Sequence, residues 1–296
     1  MSMRVTNQTM MQSTQRSLQT NLSRLAELQE KASGQRAFAR PSDDPAATAD
    51  SLRVRANMRA NEQYGRNIAN GEGWLTQLES TMTQSKQILD RANELTLRAS
   101  NGSMSPAARE ATAIELESLR SELAAQADMS YGGRFLFAGN SDGKTALGPD
   151  LTFTGMGTVE RRISADQLVR VDADGAAVFG SGSETGRNGS VFALMDTMVA
   201  DLRGGKDVSV HLGALQQRIK DVTNQHSEIG TRHARLLQAK DVVADTTLAL
   251  EGKRAAVEDV DLTTVILDLK LQETAYQTAL AVSARVLQPS LMDFLR

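Results

Sequence analysis

The chain has 296 residues, of which 33 are Lys or Arg, 36 are Asp or Glu, none is Cys and 4% are aromatic. The formal net charge of -3 argues against a protein that holds nucleic acid or an anionic membrane by bulk charge. The lack of cysteine excludes disulfides, thiolate catalysis and cysteine-ligated metals, and no run of about 18 apolar residues predicts a membrane span. We therefore expect neither nucleic acid nor a membrane among the partners.

The first predicted element is a helix over residues 5–31. Its apolar side chains recur at heptad-like spacing, which is the pattern of helices that wrap around one another. They are Met11, Leu18, Leu22, Leu25, Leu28 and Ala32. Gly34 can take the left-handed conformation that ends a helix, so residues 1–42 are assigned to the N-terminal helix of a terminal coiled-coil domain.

A second helical region begins within the sequence RPSDDPA, residues 40–46. Asp44 is placed to cap a new helix, and Pro45 suits the first helical position. This helix is predicted to run to about residue 100, with Gly71 among its weak points. Another helix is predicted over residues 106–129. Together they form the first part of a helical rod domain, residues 43–130.

The composition changes at Tyr131, where glycine becomes dense and short strand-like runs replace the helical periodicity. We interpret residues 131–186 as an inserted β-rich domain. Its predicted strands span residues 134–138, 151–154, 158–163, 169–172 and 176–179. The sequence VDADG before the last strand is predicted to be a hairpin turn, because Ala176 and Ala177 stand where a calcium loop needs a further ligand and a glycine.

Helices return after the insert. They are predicted over residues 191–202, 210–257 and 260–288. We assign residues 187–257 to the second part of the rod domain and residues 258–296 to the C-terminal helix of the terminal coiled-coil domain.

The last helix contains no glycine or proline and carries the most regular apolar pattern of the chain. Alternating steps of four and three predict a heptad seam. Its positions are Leu262, Ile266, Leu269, Glu273, Tyr276, Leu280, Ser283 and Leu287. A second stripe of Leu267, Leu271, Ala275 and Val282 is predicted to widen the same face.

Such a face needs a partner, and the apolar pattern of the first helix supplies one. We therefore predict that the two ends of the chain pair. The expected fold is mainly α with an inserted small β domain, and it forms a long antiparallel helical rod whose N- and C-terminal helices make a coiled coil.

One stretch matches a sequence pattern of nucleotide-binding sites. The sequence AGNSDGKT, which begins at Ala138 and ends at Thr145, satisfies a permissive form of the phosphate-loop pattern. A true phosphate loop opens a helix whose N-terminus holds the phosphates, whereas Gly148 and Pro149 follow closely here. A turn between strands is therefore predicted, and a P-loop nucleotide hydrolase remains a remote alternative. No catalytic, cofactor-binding or metal-ligating set is predicted elsewhere.

Four stretches carry a family resemblance. SGQRAFARPSDDPAATA (33–49) and RASNGSMSPAARE (98–110) resemble segments of bacterial flagellins and of the proteins that join them to the hook. YGGRFLFAGN (131–140) and TAYQTALAVSARVLQPSLMDFLR (274–296) resemble the hook-filament junction proteins, or third hook-associated proteins, within the flagellin superfamily. The first stretch contains the family-like motif of Arg36, Ser42, Asp43, Asp44 and Pro45.

The resemblance implies a structural protein and not an enzyme. Proteins of this family are exported through the flagellum's own secretion channel without a cleavable signal, and they polymerise outside the cell. By this resemblance the chain would form a ring of its own copies between the first hook-associated protein and the flagellin filament. A flagellar export chaperone is a further implied partner, and no cofactor is implied. A flagellin that builds the filament itself is the alternative.

The terminal helices would then supply the assembly interface. Each apolar side chain that a neighbouring subunit covers would contribute about 1.5 to 3 kcal/mol. The expected interface residues are Leu18, Leu22, Leu25, Ile266, Leu269, Tyr276, Leu280, Leu287 and Phe294.

Overall fold

The chain divides into two compact units. A computed structural model describes residues 2–100, 104–141, 143–153, 155, 157–184 and 189–287, without the side chains of residues 2–8, 10 and 285–287. The terminal unit consists of Met1–Arg59 and Thr247–Arg296, and the central unit consists of Ala60–Thr246. Of the helices described, none combines the length and the apolar character that a bilayer crossing demands.

Helices dominate the described residues. They are α1 (Ser2–Gly34), α2 (Pro45–Ala99), α3 (Pro106–Ala127), α4 (Gly175–Phe179), α5 (Val191–Arg203), α6 (Leu212–Glu258) and α7 (Leu262–Leu287). A short 3-10 turn, Ser209–His211, precedes α6. The predicted fold class, mainly α with an inserted small β domain, is confirmed.

The strands of the insert form two short antiparallel hairpins. β1 (Ser130–Tyr131) pairs with β2 (Arg134–Phe135), and β3 (Glu160–Arg162) pairs with β4 (Leu168–Arg170). The predicted strand over residues 151–154 is reduced to a single bridge between Leu147 and Phe153, and residue 154 lies outside the described residues.

Two helices, α2 and α3, begin at the predicted residues, where a nearby side chain caps each helix. Asp44 Oδ1 accepts a hydrogen bond from the N–H of Ala47 at 2.8 Å, just before α2. Ser105 Oγ accepts one from the N–H of Ala108 at 3.2 Å at the start of α3. Side-chain acceptors of this kind satisfy N–H groups that have no partner inside the helix.

The predicted strand over residues 176–179 is wrong, because this segment is the short helix α4. The predicted hairpin turn before it is wrong as well. The carboxylate of Asp174 accepts hydrogen bonds from the N–H groups of Ala176 and Ala177, so Asp174 is a helix cap. This cap starts the helix, and burial of Val178 and Phe179 in the core holds it.

The core of the central unit joins α2, α3, α5 and α6 to the insert. The side of α6 that enters this core repeats every seven residues. Its fully buried members are Leu215, Val222, Ile229 and Leu236. Phe179 of α4 lies at the centre of an aromatic group, with ring centroids 5.1 Å from Phe137, 5.9 Å from Phe153 and 5.8 Å from Phe192 of α5. The insert is therefore part of this core and does not stand apart from it.

Gly71 of α2 allows a close approach that a larger residue would prevent. A Cβ atom added there would lie 2.7 Å from Cδ1 of Leu236 and 3.3 Å from Cγ1 of Val171. Both of those side chains are fully buried. Gly230 of α6 differs, since an added Cβ meets nothing within 4 Å.

We expect opposite effects from alanine at these two glycines. Gly71→Ala should lower the free energy of unfolding of the central unit by about 1 to 2 kcal/mol, because overpacking outweighs the gain in helix propensity. Gly230→Ala should raise it by about 0.5 to 1 kcal/mol through propensity alone. Urea unfolding can be followed by the fluorescence of Trp74, the single tryptophan, which is buried in this unit. A stabilising Gly71→Ala would contradict the packing argument.

Candidate assembly surface of the terminal helices

The two terminal helices pack against each other in the terminal unit. Nε2 of Gln272 on α7 donates hydrogen bonds to the carbonyl oxygen and to Oδ1 of Asn21 on α1, at 3.2 and 3.3 Å. Beyond the ends of these helices, Arg36 forms an antiparallel β-bridge with Asp259. Residue numbers thus fall along α1 as they rise along α7, so the pair is antiparallel. The predicted pairing of the chain ends is confirmed.

One face of α7 is covered by α1. Its buried or partly buried residues recur at alternating steps of four and three, as a heptad seam requires. They are Val265, Leu269, Gln272, Tyr276, Ala279 and Ser283, and Glu273 beside Gln272 is also partly buried. On α1 the partly buried residues follow the same rhythm. They include Leu18, Asn21, Leu25, Leu28 and Ala32.

The phase of the α7 seam differs from the predicted one. Leu269, Tyr276 and Ser283 belong to both, but Ile266 and Leu280 are exposed. The seam contains Ala279 where the prediction placed Leu280, and Gln272 joins the predicted Glu273, since both are partly buried. Apolar residues occur on several sides of α7, so spacing alone leaves the phase open.

The second apolar stripe of α7 does not widen the covered face. Leu267, Leu271 and Val282 are 61%, 62% and 55% exposed. At about 100° per residue, the stripe lies roughly 120° around the helix from the seam. We call Leu267, Leu271, Ala275 and Val282 the outer stripe. The outer stripe is therefore an apolar face separate from the seam, and α1 leaves it exposed.

The remaining predicted interface residues fall into three groups. Leu18 and Leu25 are partly buried on the α1 side of the pair. Leu22 is 51% exposed. Phe294 and the side chain of Leu287 lie outside the described residues.

The family-like motif shapes the connector between α1 and α2, residues 35–44. Asp43 Oδ2 accepts hydrogen bonds from the N–H groups of Arg40 at 2.8 Å and Ala39 at 3.2 Å, and Ser42 Oγ donates to Asp43 Oδ1 at 3.4 Å. The bond from Arg40 is the main cause that lowers the pKa of Asp43 below its ordinary value.

Three further motif residues act through the backbone and the helix end. Asp44 caps α2, Pro45 is its first residue, and the backbone of Arg36 forms the bridge to Asp259. The motif residues for which contacts are described thus act in fixing local chain geometry.

Glu258, the last residue of α6, ties several elements of the terminal unit together. Its carboxylate accepts hydrogen bonds from Ser51 Oγ at 2.5 Å and from Nε and Nη2 of Arg55 at 2.6 and 2.7 Å. These bonds, Arg55's above all, lower the pKa of Glu258 to about 2. Its backbone carbonyl accepts the N–H of Ala37 at 2.8 Å. Sequence reasoning missed this residue, because Ser51 stands 207 positions away.

The described residues between Ala138 and Thr145 do not form a phosphate loop. The N–H of Ser141 donates to the carbonyl of Ala138 at 3.0 Å, which makes a turn. After it the N–H groups of Ala146 and Leu147 donate to the Asp128 carboxylate at 2.7 and 3.0 Å. The next helix in the chain, α4, begins only at Gly175. Among the described residues, no helix begins directly after this loop, so no helix N-terminus is available to hold phosphates. The nucleotide-hydrolase alternative therefore has no support.

Comparison with known families covers both ends of the chain. The profile of the bacterial flagellin N-terminal helical region matches residues 5–142, and that of the bacterial flagellin C-terminal helical region matches residues 212–295. The chain belongs to the flagellin superfamily. The two matched regions contain α1, α2 and α3 on one side and α6 and α7 on the other.

Two curated members of the superfamily are similar over almost the whole chain. Flagellar hook-associated protein 3 of Salmonella typhimurium is 24% identical, with 94% of this chain and 95% of the relative aligned. A flagellin of Listeria monocytogenes is 23% identical, with 93% of this chain and 92% of the relative aligned. The predicted resemblance to the third hook-associated proteins is confirmed.

A solved structure of the superfamily shares the fold. The crystal structure of Bacillus cereus FlgL superposes with a TM-score of 0.60 at 20% identity, and covers 69% of this chain and 99% of that one. The relatives are structural proteins of the flagellum, and this chain is a flagellar protein of the same superfamily.

Proposed function

We propose that this chain is a structural adaptor that joins the flagellar hook to the filament. The observation that carries the proposal is the outer stripe of α7, which remains exposed after α1 has covered the other apolar face. A helix with two heptad-spaced faces has the pattern of a helix that packs against two partners. The second partner is then a terminal helix of a neighbouring subunit.

The amount of apolar surface left open in the terminal unit supports assembly. Val54, Leu250 and Val265 are its buried apolar residues among those described. The exposed ones are more numerous: Met11, Leu22, Leu52, Leu248, Leu262, Ile266, Leu267, Leu271, Leu280 and Val282. Exposed apolar surface of this extent is typical of a protein-protein interface.

The junction role is favoured over that of a filament subunit by the residues of two stretches. YGGRFLFAGN at 131–140 and the ending at 274–296 resemble the third hook-associated proteins. The Salmonella hook-associated protein 3 aligns over 94% of this chain. Flagellin remains the alternative, since a flagellin aligns over a similar length.

The proposal includes partners, location and domain roles. The chain would bind the first hook-associated protein on one side and flagellin on the other, and form a ring of its own copies. An export chaperone would hold it before passage through the flagellar channel to the cell exterior. Residues 1–42 and 258–296 would form the assembly domain, with 43–130 and 187–257 as rod and 131–186 as the insert.

Binding under polymerising conditions tests this function. Purified full-length chain should bind both the first hook-associated protein and flagellin of the same bacterium, and should form only short assemblies by itself. Co-sedimentation and electron microscopy measure both properties. Long filaments of this chain alone would assign it to the flagellins, and failure to bind either partner would overturn the adaptor role.

A further inference from the structure

We propose that Glu258 is a positioning residue that locks the joint between the terminal helix pair and the start of α2. The joint consists of two connectors, residues 35–44 between α1 and α2 and residues 259–261 between α6 and α7. The lock is a property of the isolated chain. Only its value for assembly rests on the proposed function.

The two connectors are joined by backbone hydrogen bonds. The N–H of Ala37 donates to the carbonyl of Glu258 at 2.8 Å, and the N–H of Val260 donates to the carbonyl of Gln35 at 3.4 Å. These bonds flank the β-bridge between Arg36 and Asp259. Two bonds of which one is long make a weak ladder, so the connectors need further support to stay together.

The backbone at the end of α1 also favours opening of the joint. Gln35 has a φ of 53°, in the left-handed region that few residues other than glycine adopt. Such a conformation persists only where the surrounding structure holds it. The carbonyl of this same residue accepts the long hydrogen bond from Val260.

The Glu258 side chain supplies the missing support. It reaches across to α2, where the guanidinium of Arg55 donates two hydrogen bonds and Ser51 donates a third. The Glu258 side chain is only 12% exposed, and the bidentate contact with the Arg55 guanidinium fixes the orientation of its carboxylate. Since Ala37 bonds to the carbonyl of the same residue, fixing Glu258 to α2 also fixes the connector.

Glu258 therefore connects three parts of the terminal unit. Glu258 ends α6, holds α2 through its side chain and holds the α1 connector through its backbone. Without these side-chain contacts α1 and α7 would stay paired, but the orientation of this pair relative to the start of α2 would no longer be fixed. An adaptor whose terminal helices must meet defined neighbours requires that direction to be set.

Hydrogen exchange on the full-length chain measures the lock. Glu258→Gln removes the charge and leaves the shape and the backbone carbonyl, and Arg55→Gln removes the donor. Either change should speed exchange at the amides of Ala37 and Val260 about tenfold, because the joint opens more often. The double variant should exchange no faster than the single ones, since both residues act in one contact. Arg53→Gln is the matched control, because Arg53 lies two residues from Arg55 and forms an exposed ion pair with Asp50 instead.

Two readouts separate a lock from general destabilisation. Helix α3 and Trp74 belong to the central unit. The exchange rates of the α3 amides and the unfolding midpoint reported by Trp74 should therefore not change. Exchange at Ala37 and Val260 that stays within about twofold of the parent chain would overturn the proposal. Additive single effects, or a fall in the Trp74 midpoint, would overturn it too. Because no partner protein is involved, failure of the adaptor role would leave this result unaffected.

Discussion

Replacement of Asp172 by alanine is expected to lower the free energy of unfolding of the central unit by about 3 kcal/mol. The Asp172 carboxylate is fully buried and accepts two hydrogen bonds from the Arg170 guanidinium, both at 2.9 Å. It also accepts the N–H of Val159 at 2.9 Å. The change leaves a guanidinium that is 27% exposed and a buried N–H without these acceptors, and unpaired buried groups are costly.

Urea unfolding followed by Trp74 fluorescence checks this value. Asp166→Ala is a suitable control, because Asp166 is an exposed aspartate between β3 and β4. Substitutions at exposed sites of this kind usually change stability by less than about 0.5 kcal/mol. A loss below about 1 kcal/mol for Asp172→Ala would show that the ion pair adds little to the fold.

The second large effect is expected on assembly. Leu267→Lys combined with Leu271→Lys should abolish polymerisation while the chain stays folded. Both side chains are more than half exposed and lie on the outer stripe, away from the seam with α1. If a neighbouring subunit covers them, the double change removes about 3 to 6 kcal/mol per contact. That loss corresponds to roughly a hundredfold to ten-thousandfold weaker association.

Sedimentation velocity and circular dichroism distinguish the two parts of this prediction. Helix content should match that of the parent chain, and assembly under polymerising conditions should be lost. Gln277→Lys with Ala284→Lys adds the same charge to exposed positions more than 90° around α7 from the middle of the outer stripe and should assemble normally. Equal loss of assembly in both variants would mean that added charge, and not the outer stripe, is responsible.

The sequence carried most of the helical architecture because its signals are local. Asp44, Pro45 and Ser105 mark helix starts through contacts within a few residues. The seven-residue repeat of α6 marks its buried side. The short helix α4 was missed for the opposite reason, since five residues carry no helical period and the Asp174 cap decides their conformation.

The candidate site was only partly predictable. Pairing of the termini follows from their apolar spacing. The phase of α7 depends on which face α1 covers, and apolar residues occur on several sides of this helix. The contact between Glu258 and Ser51 is set by how α6 lies beside α2, and nothing in the spacing of either helix indicates it. Long-range polar contacts of this kind need the packed structure to be seen.

The hydrogen bonds between Gln272 and Asn21 have a consequence for the alignment of the terminal helices. A leucine seam repeats every heptad, so α1 could slide about 10 Å along α7 and still match apolar side chains. A shift of one heptad would separate the two amide side chains and bring either Leu28 or Thr14 opposite Gln272 in place of Asn21. A single polar pair inside an apolar seam therefore selects one register. Among the alignments of α1 and α7 that match apolar side chains, folding of the terminal helices therefore favours the one that pairs Gln272 with Asn21.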